Sequence, residues 1–399
     1  MNLIRRLGME KRLLAVAVAG ALAAPAIAFA QSTVQIYGRM TYEWGRADQG
    51  PDRPDLDFSD GPGGSAIGFK GVEQLGGGLS AWFQCESSAD ITGFDTSSIC
   101  TRNSAVGFRG GFGNVFAGKW DTPMKRALGL GTVGAEATGI LGMSFLPFGG
   151  AGGTDISDVG VNSLTRHRWK RRESNLMTYE TPKFGGFQVM GAVTGANRTS
   201  TANDNVDPNN QQARLWSLAG TYVNGPLGIG LAYERHNEVG FGQTPAGTQD
   251  LDDRAWGASV GYRFGPVRVG ATYLDSKYET GPGIELKKKS WTIGADWRVG
   301  GPHMLSVQYA SIGDSKGNSP IGVGGTSNGS VAASGGDTGG DAWSLGYTYA
   351  FSKRTTVRLG YVRVDNDSNT NTYRVGNTAN LLDDGENTDG WAFLVKHNF

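Results

Sequence analysis

Three short motifs match patterns that bind ligands or catalyse reactions in other proteins, but each lacks the context that its chemistry needs. Gly129–Gly134 has the G-x-G-x-x-G spacing of a dinucleotide loop, without the surrounding strands and helix. Gly325–Gly329 fits the serine pattern G-x-S-x-G, but inside a Gly/Ser-rich stretch. Asp365–Thr370 begins like a calcium loop with Thr370 at the glycine position, which leaves only loose binding of divalent cations as an alternative. The four histidines are scattered, so the sequence predicts no enzyme, no metal site and no cofactor.

The densest cluster of charge lies in residues 122–173, a stretch without a strand pattern. Connections of this length are usually functional or disordered. Cations outnumber acidic residues in it, and the arginines near its end would attract anions through a local field. Its charged residues are Lys125, Arg126, Glu136, Asp155, Asp158, Arg166, Arg168, Lys170, Arg171, Arg172 and Glu173.

The first thirty residues have the composition of a secretory signal peptide. Arg5, Arg6, Lys11 and Arg12 precede an apolar run, and small residues stand at the cleavage positions before residue 31. We therefore expect residues 1–30 to be removed on export, leaving 31–399 with a formal charge of −3.

Two cysteines, Cys85 and Cys100, remain in the exported part of the chain. In an oxidising compartment such a pair favours a disulfide over a metal site. Two reduced, inert thiols are the alternative.

The elements that must position the charged residues are short β-strands. The chain holds 64 Gly, 17 Phe, 13 Tyr and 10 Trp, a composition typical of an all-β protein with many turns. In Gln35–Trp44, apolar side chains alternate with polar ones, which is the period of a strand. The same period predicts sixteen strands near 33–44, 65–73, 79–86, 101–109, 114–121, 174–182, 186–196, 213–223, 226–236, 254–264, 267–278, 288–298, 303–312, 341–351, 355–366 and 389–399. Seven very short connections alternate with eight longer, polar ones.

The two faces of these strands indicate a membrane environment rather than a soluble sandwich. On the apolar face, aromatic residues concentrate at the strand ends, as in the girdles of a barrel that crosses two membrane interfaces. The other face carries charged and polar residues, which suit a water-filled lumen and not a protein core. The sequence thus predicts an all-β, 16-stranded antiparallel transmembrane β-barrel with short periplasmic turns and long external loops.

Several motifs together resemble the general porins of β-proteobacteria and Neisseria across essentially all of 31–399. They are QIYGR at 35–39, IGFKGVE at 67–73, AWFQCE at 81–86, VGFRGGFGN at 106–114, RESNLMTYETP at 172–182, FGGF at 184–187 and the terminal VKHNF at 395–399. The resemblance implies a homotrimeric porin whose third external loop, here 122–173, folds inward to narrow the pore. It also implies that Phe399 is the signal for the barrel-assembly machinery. Lys119 stands where this family leads us to expect arginine, and the cysteine pair is unusual for it.

The candidate pore-lining and constriction residues follow from the strand phase and from the long loop. They are Arg39, Lys119, Asp121, Glu136, Asp155, Asp158, Arg166, Arg168, Arg171, Arg172, Arg263 and Arg298. The same inferred lumen phase carries further charges at Glu43, Lys70, Glu86, Arg109, Glu180, Glu234, Arg268, Asp296, Arg358 and Lys396. The arginines at 166–172 either lie at the constriction or form an exposed rim that binds lipopolysaccharide phosphates.

These patterns predict a passive diffusion channel for small hydrophilic solutes and ions, with a slight preference for anions. The alternative is a channel that prefers small carboxylates or other nutrient anions. The expected location is the outer membrane of a Gram-negative bacterium, in contact with membrane lipid and lipopolysaccharide. The balanced charge gives no reason to expect a nucleic-acid partner.

Overall fold

The computed structural model describes residues 33–48, 50, 54–60, 64–89, 99–134, 148, 168–194, 214–239, 251–324, 330–375 and 382–399. The predicted leader, residues 1–30, lies outside the described residues. Within the described ranges, no helix is both long enough and apolar enough to cross a membrane.

Alternating side chains produce strands along most of the described chain. The strands are β1 (Thr33–Ala47), β2 (Leu56–Asp60), β3 (Ala66–Gly76), β4 (Leu79–Ser88), β5 (Ser104–Gly110), β6 (Gly113–Asp121), β7 (Arg172–Glu180), β8 (Phe187–Thr194), β9 (Arg214–Asn224), β10 (Leu227–Val239), β11 (Leu251–Phe264), β12 (Val267–Gly281), β13 (Ile284–Gly300), β14 (His303–Ile312), β15 (Lys316–Gly317), β16 (Gly340–Ala350), β17 (Thr355–Asn366) and β18 (Thr388–Asn398). Each pairs antiparallel with its neighbours.

Sixteen of these strands close into a barrel, which confirms the predicted fold. The two short strands lie at its rim, where β2 pairs with the end of β1 and β15 pairs with β13. Closure is made by β1, which pairs with β3 on one side and with β18 on the other. The last residue completes the seam, because Phe399 and Gly38 exchange backbone hydrogen bonds of 3.0 and 3.1 Å. A closed ring leaves no unpaired sheet edge, as a membrane environment requires.

The outward face of the barrel is apolar and is bordered by aromatic rings. At the end that carries the long loops, outward rings of neighbouring strands contact one another, for example Trp44 with Trp391 at 5.1 Å and Trp256 with Tyr273 at 5.1 Å. We call this belt the aromatic girdle; it consists of Trp44, Trp216, Tyr233, Trp256, Tyr273, Trp291, Tyr309, Trp343, Tyr361 and Trp391. Such belts mark the depth of a membrane interface.

The connections alternate in length as expected, with one exception. All seven predicted short turns join neighbouring strands at one end of the barrel. At the opposite end, the predicted longer connection after residue 278 is instead a tight turn at Pro282 and Gly283, because β12 and β13 extend beyond their predicted ends. Three consecutive lysines at 287–289 concealed the extension of β13, because a run of identical residues shows no alternation between faces. In the structure, Lys288 is buried and points inward, whereas Lys287 and Lys289 are exposed.

The predicted disulfide is present and joins Cys85 on β4 to Cys100 in the segment before β5. The two residues are 15 apart in sequence. A bridge that closes a loop of this length stabilises the fold by restricting the unfolded chain, by about 3 kcal/mol.

We predict that the Cys85→Ser/Cys100→Ser variant lowers the free energy of unfolding by about 3 kcal/mol. Unit conductance should stay at the wild-type value, because the bridge lies outside the pore-lining clusters described below. Urea unfolding followed by tryptophan fluorescence measures the first quantity, and planar-bilayer recording measures the second. An unchanged unfolding midpoint would contradict the assigned role of the bridge.

Candidate functional site

The segment after β6 turns into the barrel instead of outward. Thr122 caps helix α1 (Pro123–Leu128), where its hydroxyl accepts a 3.3 Å hydrogen bond from the Lys125 backbone, and a short 3-10 turn follows at Gly129–Gly131. Met124 and Leu128 of this helix are fully buried against inward side chains of the wall. The described part of the predicted third loop therefore lies in the lumen, as expected.

Small inward residues on β10–β12 make room for this segment. An added Cβ would lie 2.4 Å from the Ala127 carbonyl oxygen at Gly230, 2.3 Å from the Leu130 oxygen at Gly261, and 2.3 Å from the Gly131 oxygen at Gly270. We call these three residues the glycine track. The same wall donates hydrogen bonds to the loop backbone, including one of 2.7 Å from the Ser259 hydroxyl to the Ala127 oxygen. Close approach and hydrogen bonding together hold the loop against one side of the barrel.

Both ends of the described loop are anchored by polar contacts. Beyond the glycine track, the Gly134 amide donates to Asp296 at 2.9 Å, and Arg358 donates to the Gly134 carbonyl at 3.1 Å. At the returning end, the Trp169 indole donates to the Tyr278 hydroxyl at 2.7 Å and stacks on His236 with ring centroids 4.4 Å apart. These contacts hold both described ends of the loop inside the lumen.

The first of two charge clusters lies where the loop leaves and rejoins the wall. Lys125 lies 2.7 Å from Asp121, Arg172 lies 3.4 Å from the same carboxylate, and Arg102 pairs with Glu86 at 2.6 Å. Arg39 interacts electrostatically with Arg172 and donates a hydrogen bond to the Gly64 carbonyl. We call these residues the loop-base cluster; it consists of Arg39, Glu86, Arg102, Asp121, Lys125 and Arg172. It holds four cations and two carboxylates.

The second cluster lines a cavity of about 280 Å³ at the turn end of the lumen. Two of its cations also touch the loop: Arg268 donates to the Leu130 oxygen at 3.2 Å, and Arg358 contacts Gly134 as described above. Arg263 and Arg298 are exposed to the lumen and form no ion pair with any described residue. We call these residues the wall cluster; it consists of Arg263, Arg268, Asp296, Arg298, Arg358 and Lys396. Five cations here surround one carboxylate.

The structure places only some of the predicted site residues in the two charge clusters. Arg39, Asp121 and Arg172 meet in the loop-base cluster, and Arg263 and Arg298 meet in the wall cluster. Arg171 is fully buried in an ion pair of 2.6 Å with Glu173, so it anchors the loop. Arg168 precedes Trp169 at the returning end. Glu136, Asp155, Asp158 and Arg166 lie outside the described residues.

Lys119 lies on the outward face of β6, whereas the sequence predicted it on the face that lines the lumen. The register pairs it with Ser104, on the face of β5 and β6 that Val106 and Ala117 share. Both of those residues are exposed on the outer surface, whereas Phe116 and Trp120 point inward and pack on Trp82. We therefore leave Lys119 out of the pore-lining set. Sequence reasoning also missed Arg102, whose only signal was its place at the predicted start of β5.

Lys170, at the returning end of the loop, is 8% exposed and lies over the Phe148 ring at 5.6 Å. Burial and, secondly, the charge of Lys125 lower the pKa of Lys170 to about 8, although Asp121 opposes this. The amine therefore carries its charge below about pH 8 and loses it above.

We predict that anion preference falls between about pH 7 and about pH 9, by up to roughly threefold for one unit of nearby charge. The Lys170→Gln variant should lack this step, because it has no charge to lose at that position. Reversal potentials across a KCl gradient at the two pH values provide the measurement. Lys353→Gln, at the exposed turn after β16, should keep the step; a step retained in Lys170→Gln would exclude Lys170 as its source.

The closed barrel, the loop folded into its lumen and the charged wall define a passive membrane channel. The profile of the Gram-negative porin family matches residues 15–369, and the chain belongs to that family. It lies in the outer membrane of a Gram-negative bacterium.

Individual relatives agree with this assignment. The chain is similar to outer membrane porin protein 32 of Delftia acidovorans, with 29% identity covering 98% of this chain and all of the relative. It is 31% identical over 180 residues to the major outer membrane protein P.IB of Neisseria meningitidis, covering 44% of each chain. Its fold is similar to that of the anion-selective porin from Comamonas acidovorans, with a TM-score of 0.70, 22% identity, and coverage of 92% of this chain and 100% of the other.

Proposed function

We propose that the protein is a general diffusion porin with a preference for small anions, and that the wall cluster sets this preference. The observation that carries the proposal is the excess of cations over carboxylates on the lumen surface, five against one in the wall cluster and four against two in the loop-base cluster. Charges of one sign lining a narrow, low-dielectric passage raise the local concentration of counter-ions.

Further parts of the proposal rest on the relatives and on the N-terminal sequence. The fold resembles that of a porin described as anion-selective and that of OmpT, an outer membrane protein of Vibrio cholerae solved in a trimer form. We accordingly propose a homotrimer, formed after residues 1–30 are removed on export and after assembly through the C-terminal strand. Transport follows the solute gradient, and no catalytic step is involved.

A planar-bilayer recording of the refolded mature protein tests this proposal. We expect conductance steps in groups of three and a reversal potential across a KCl gradient that indicates chloride preference. A cation-selective reversal potential would overturn the role of the wall cluster while keeping the channel. A folded barrel without conductance would overturn the channel itself.

A second candidate is a channel that selects small carboxylates. Arg263, Arg268 and Arg298 converge on one cavity, and guanidinium groups bind carboxylates through paired hydrogen bonds. Millimolar dicarboxylate should then block chloride current with saturation. A general pore would show only the proportional change expected from ionic strength.

A further inference from the structure

Three aromatic side chains on β4 and β6 point into the lumen, away from the membrane that the girdle faces. Trp82 lies 5.3 Å from Phe116 and 5.8 Å from Trp120 between ring centroids, and Phe116 lies 5.2 Å from Trp120. We call these three residues the lumen triad. Phe116 is 2% exposed, whereas both tryptophans are half-buried. The triad therefore presents aromatic surface to the lumen, with Phe116 as its packed base.

A glycine on the strand between them lets these rings meet. The register places Gly107 of β5 opposite Trp82 on one side and opposite Phe116 on the other. Strands two places apart in a sheet are separated by about 9.5 Å, so the two rings lean towards each other across β5. A Cβ added to Gly107 would lie 2.4 Å from the Phe116 Cβ. Three strands thus contribute to the triad, and the middle one contributes by having no side chain.

Hydrogen bonds orient the triad and connect it to the loop. The Trp82 indole donates to the side-chain oxygen of Asn114 at 2.8 Å, and the Asn114 amide donates to Glu180 at 3.3 Å. Glu180 in turn accepts a hydrogen bond from Arg126 of helix α1. The N–H of Trp82 is already bonded within the wall, so the ring itself is the part that a solute can use.

A cation without an ion pair among the described residues lies beside the triad. Arg109 is exposed on the inward face of β5, two residues from Gly107 and opposite Asn114 in the register. It pairs with no carboxylate of the described chain, and Glu180, on the far side of Asn114, is paired with Arg126 instead. A guanidinium group has only donors, and it binds carboxylates through paired hydrogen bonds.

The triad is separate from the wall cluster. β13, which carries Asp296 and Arg298, lies on the opposite side of the sixteen-strand ring from β5, and the described loop packs on β10–β12. The cations of the wall cluster therefore give no reason for an aromatic surface on β4–β6. Apolar and aromatic surface with a few polar groups beside it is typical of a site that binds a small molecule.

We infer that the lumen triad and Arg109 bind small aromatic carboxylates as they pass through the pore, with the ring of the solute against the tryptophans and its carboxylate on the guanidinium group. Aromatic rings attract one another in offset and edge-to-face arrangements. The inference rests on the proposed channel function and adds a class of solute to it.

The polar groups beside the rings favour an aromatic acid over a sugar. A sugar also stacks on tryptophan, but its hydroxyl groups need acceptors as well as donors close to the ring. Asn114 and Glu180 are the acceptors next to the triad, and they are already bonded to Trp82 and Arg126. The group that is left, Arg109, is a donor with a positive charge, so it selects an anion.

The test is block of the chloride current by benzoate, recorded in planar bilayers with the refolded protein. Acetate has the same charge without the ring, and benzyl alcohol has the ring without the charge. We expect benzoate to block with saturation, and the other two to cause only an unsaturable change in proportion to their concentration. Equal block by acetate, by benzyl alcohol or by glucose would overturn the inference.

Two variants locate the block. Trp82→Leu is expected to raise the half-blocking concentration of benzoate roughly tenfold, because it removes a ring and keeps an apolar side chain. Arg109→Gln should raise it by at least about the same factor, because it removes the charged partner of the carboxylate. Trp82→Phe keeps a ring and should restore most of the block. The matched control is Trp256→Leu, which removes a tryptophan of the girdle on the outer surface.

An unchanged half-blocking concentration in Trp82→Leu, or an equal increase in Trp256→Leu, would also overturn the inference. Chloride current recorded before benzoate is added reports the channel by itself. A folded barrel without that current would refute the proposed function, whereas normal current without saturable block refutes this inference alone. If Trp82→Leu does not fold, the comparison of benzoate with acetate and benzyl alcohol on the wild-type protein decides the question.

Discussion

Replacing Gly270 with valine is expected to raise the unit conductance of the channel. A Cβ at this position would lie 2.3 Å from the Gly131 carbonyl oxygen and 2.9 Å from Val133. The loop must therefore move away from the glycine track. Forcing extra methyl groups into a packed contact costs about 1–3 kcal/mol. That cost lowers the ratio of molecules with the loop packed on the glycine track to molecules with the loop displaced by roughly 5- to 150-fold.

The measurement is unit conductance in planar bilayers, together with the largest polyethylene glycol that enters the pore. Gly346→Val is the matched control, since Gly346 also points inward, on β16, but has only ordinary contacts of 3.9–4.0 Å. The control should conduct as the wild type does. If Gly270→Val leaves both conductance and size limit unchanged, the described loop residues do not set the width of the pore.

The barrel itself was predictable because one physical rule governs nearly every strand. Side chains alternate between lipid and water, so the period of two survives even where individual residues vary. Gln35–Trp44 follows this rule, with Thr41 and Glu43 buried inward and Tyr42 and Trp44 exposed outward. Sixteen such segments and seven short turns leave a closed antiparallel barrel as the simplest arrangement.

The rule failed where apolar side chains point into the lumen. Phe116 and Trp120 pack inward on Trp82, so β6 carries aromatic residues on the face that the sequence pattern assigned to lipid. The sequence pattern therefore assigned the faces of β6 near Phe116 the wrong way round, and the prediction placed Lys119 on the lumen face. Asp121, at the end of the strand, does reach the loop-base cluster. The sequence alone gives no sign of such an exchange of faces, because it does not show which side chains pack against one another.

The two charge clusters could not be predicted in full, because they form through contacts between residues that are far apart in sequence. Gly131 meets Gly270, and Gly134 meets Arg358, across separations that no local pattern records. Sequence reasoning supplied the right kind of residue, cations on the lumen phase, but not which of them surround one cavity. Arg263 and Arg298 were predicted as pore-lining residues, and only the folded chain shows that they line one cavity together with Arg268.

Replacing Arg263 and Arg298 with glutamine is expected to remove most of the anion preference. Both side chains are exposed to the lumen, and neither forms an ion pair within the described chain, so the fold should tolerate the change. In water, a unit charge about 7 Å from a passing ion changes its free energy by about 0.6 kcal/mol, or roughly threefold in local concentration. Two charges should therefore lower the local anion concentration by up to about tenfold at low salt, and by less when salt screens them.

Reversal potentials at low and high KCl measure this loss, and its dependence on salt distinguishes an electrostatic effect from a change in pore shape. The charge-preserving variant Arg263→Lys/Arg298→Lys should keep the chloride preference of the wild type. It should also weaken any saturable block by dicarboxylates, because lysine cannot form the paired hydrogen bonds of a guanidinium group.

Full anion preference retained in the glutamine variant would move selectivity from the wall cluster to the loop-base cluster, where Arg39 and Arg172 would then be the residues to replace. The wall and the loop base thus make separable predictions: Arg263 and Arg298 form no ion pair among the described residues, whereas Lys125 and Arg172 both pair with Asp121 at the base of the loop.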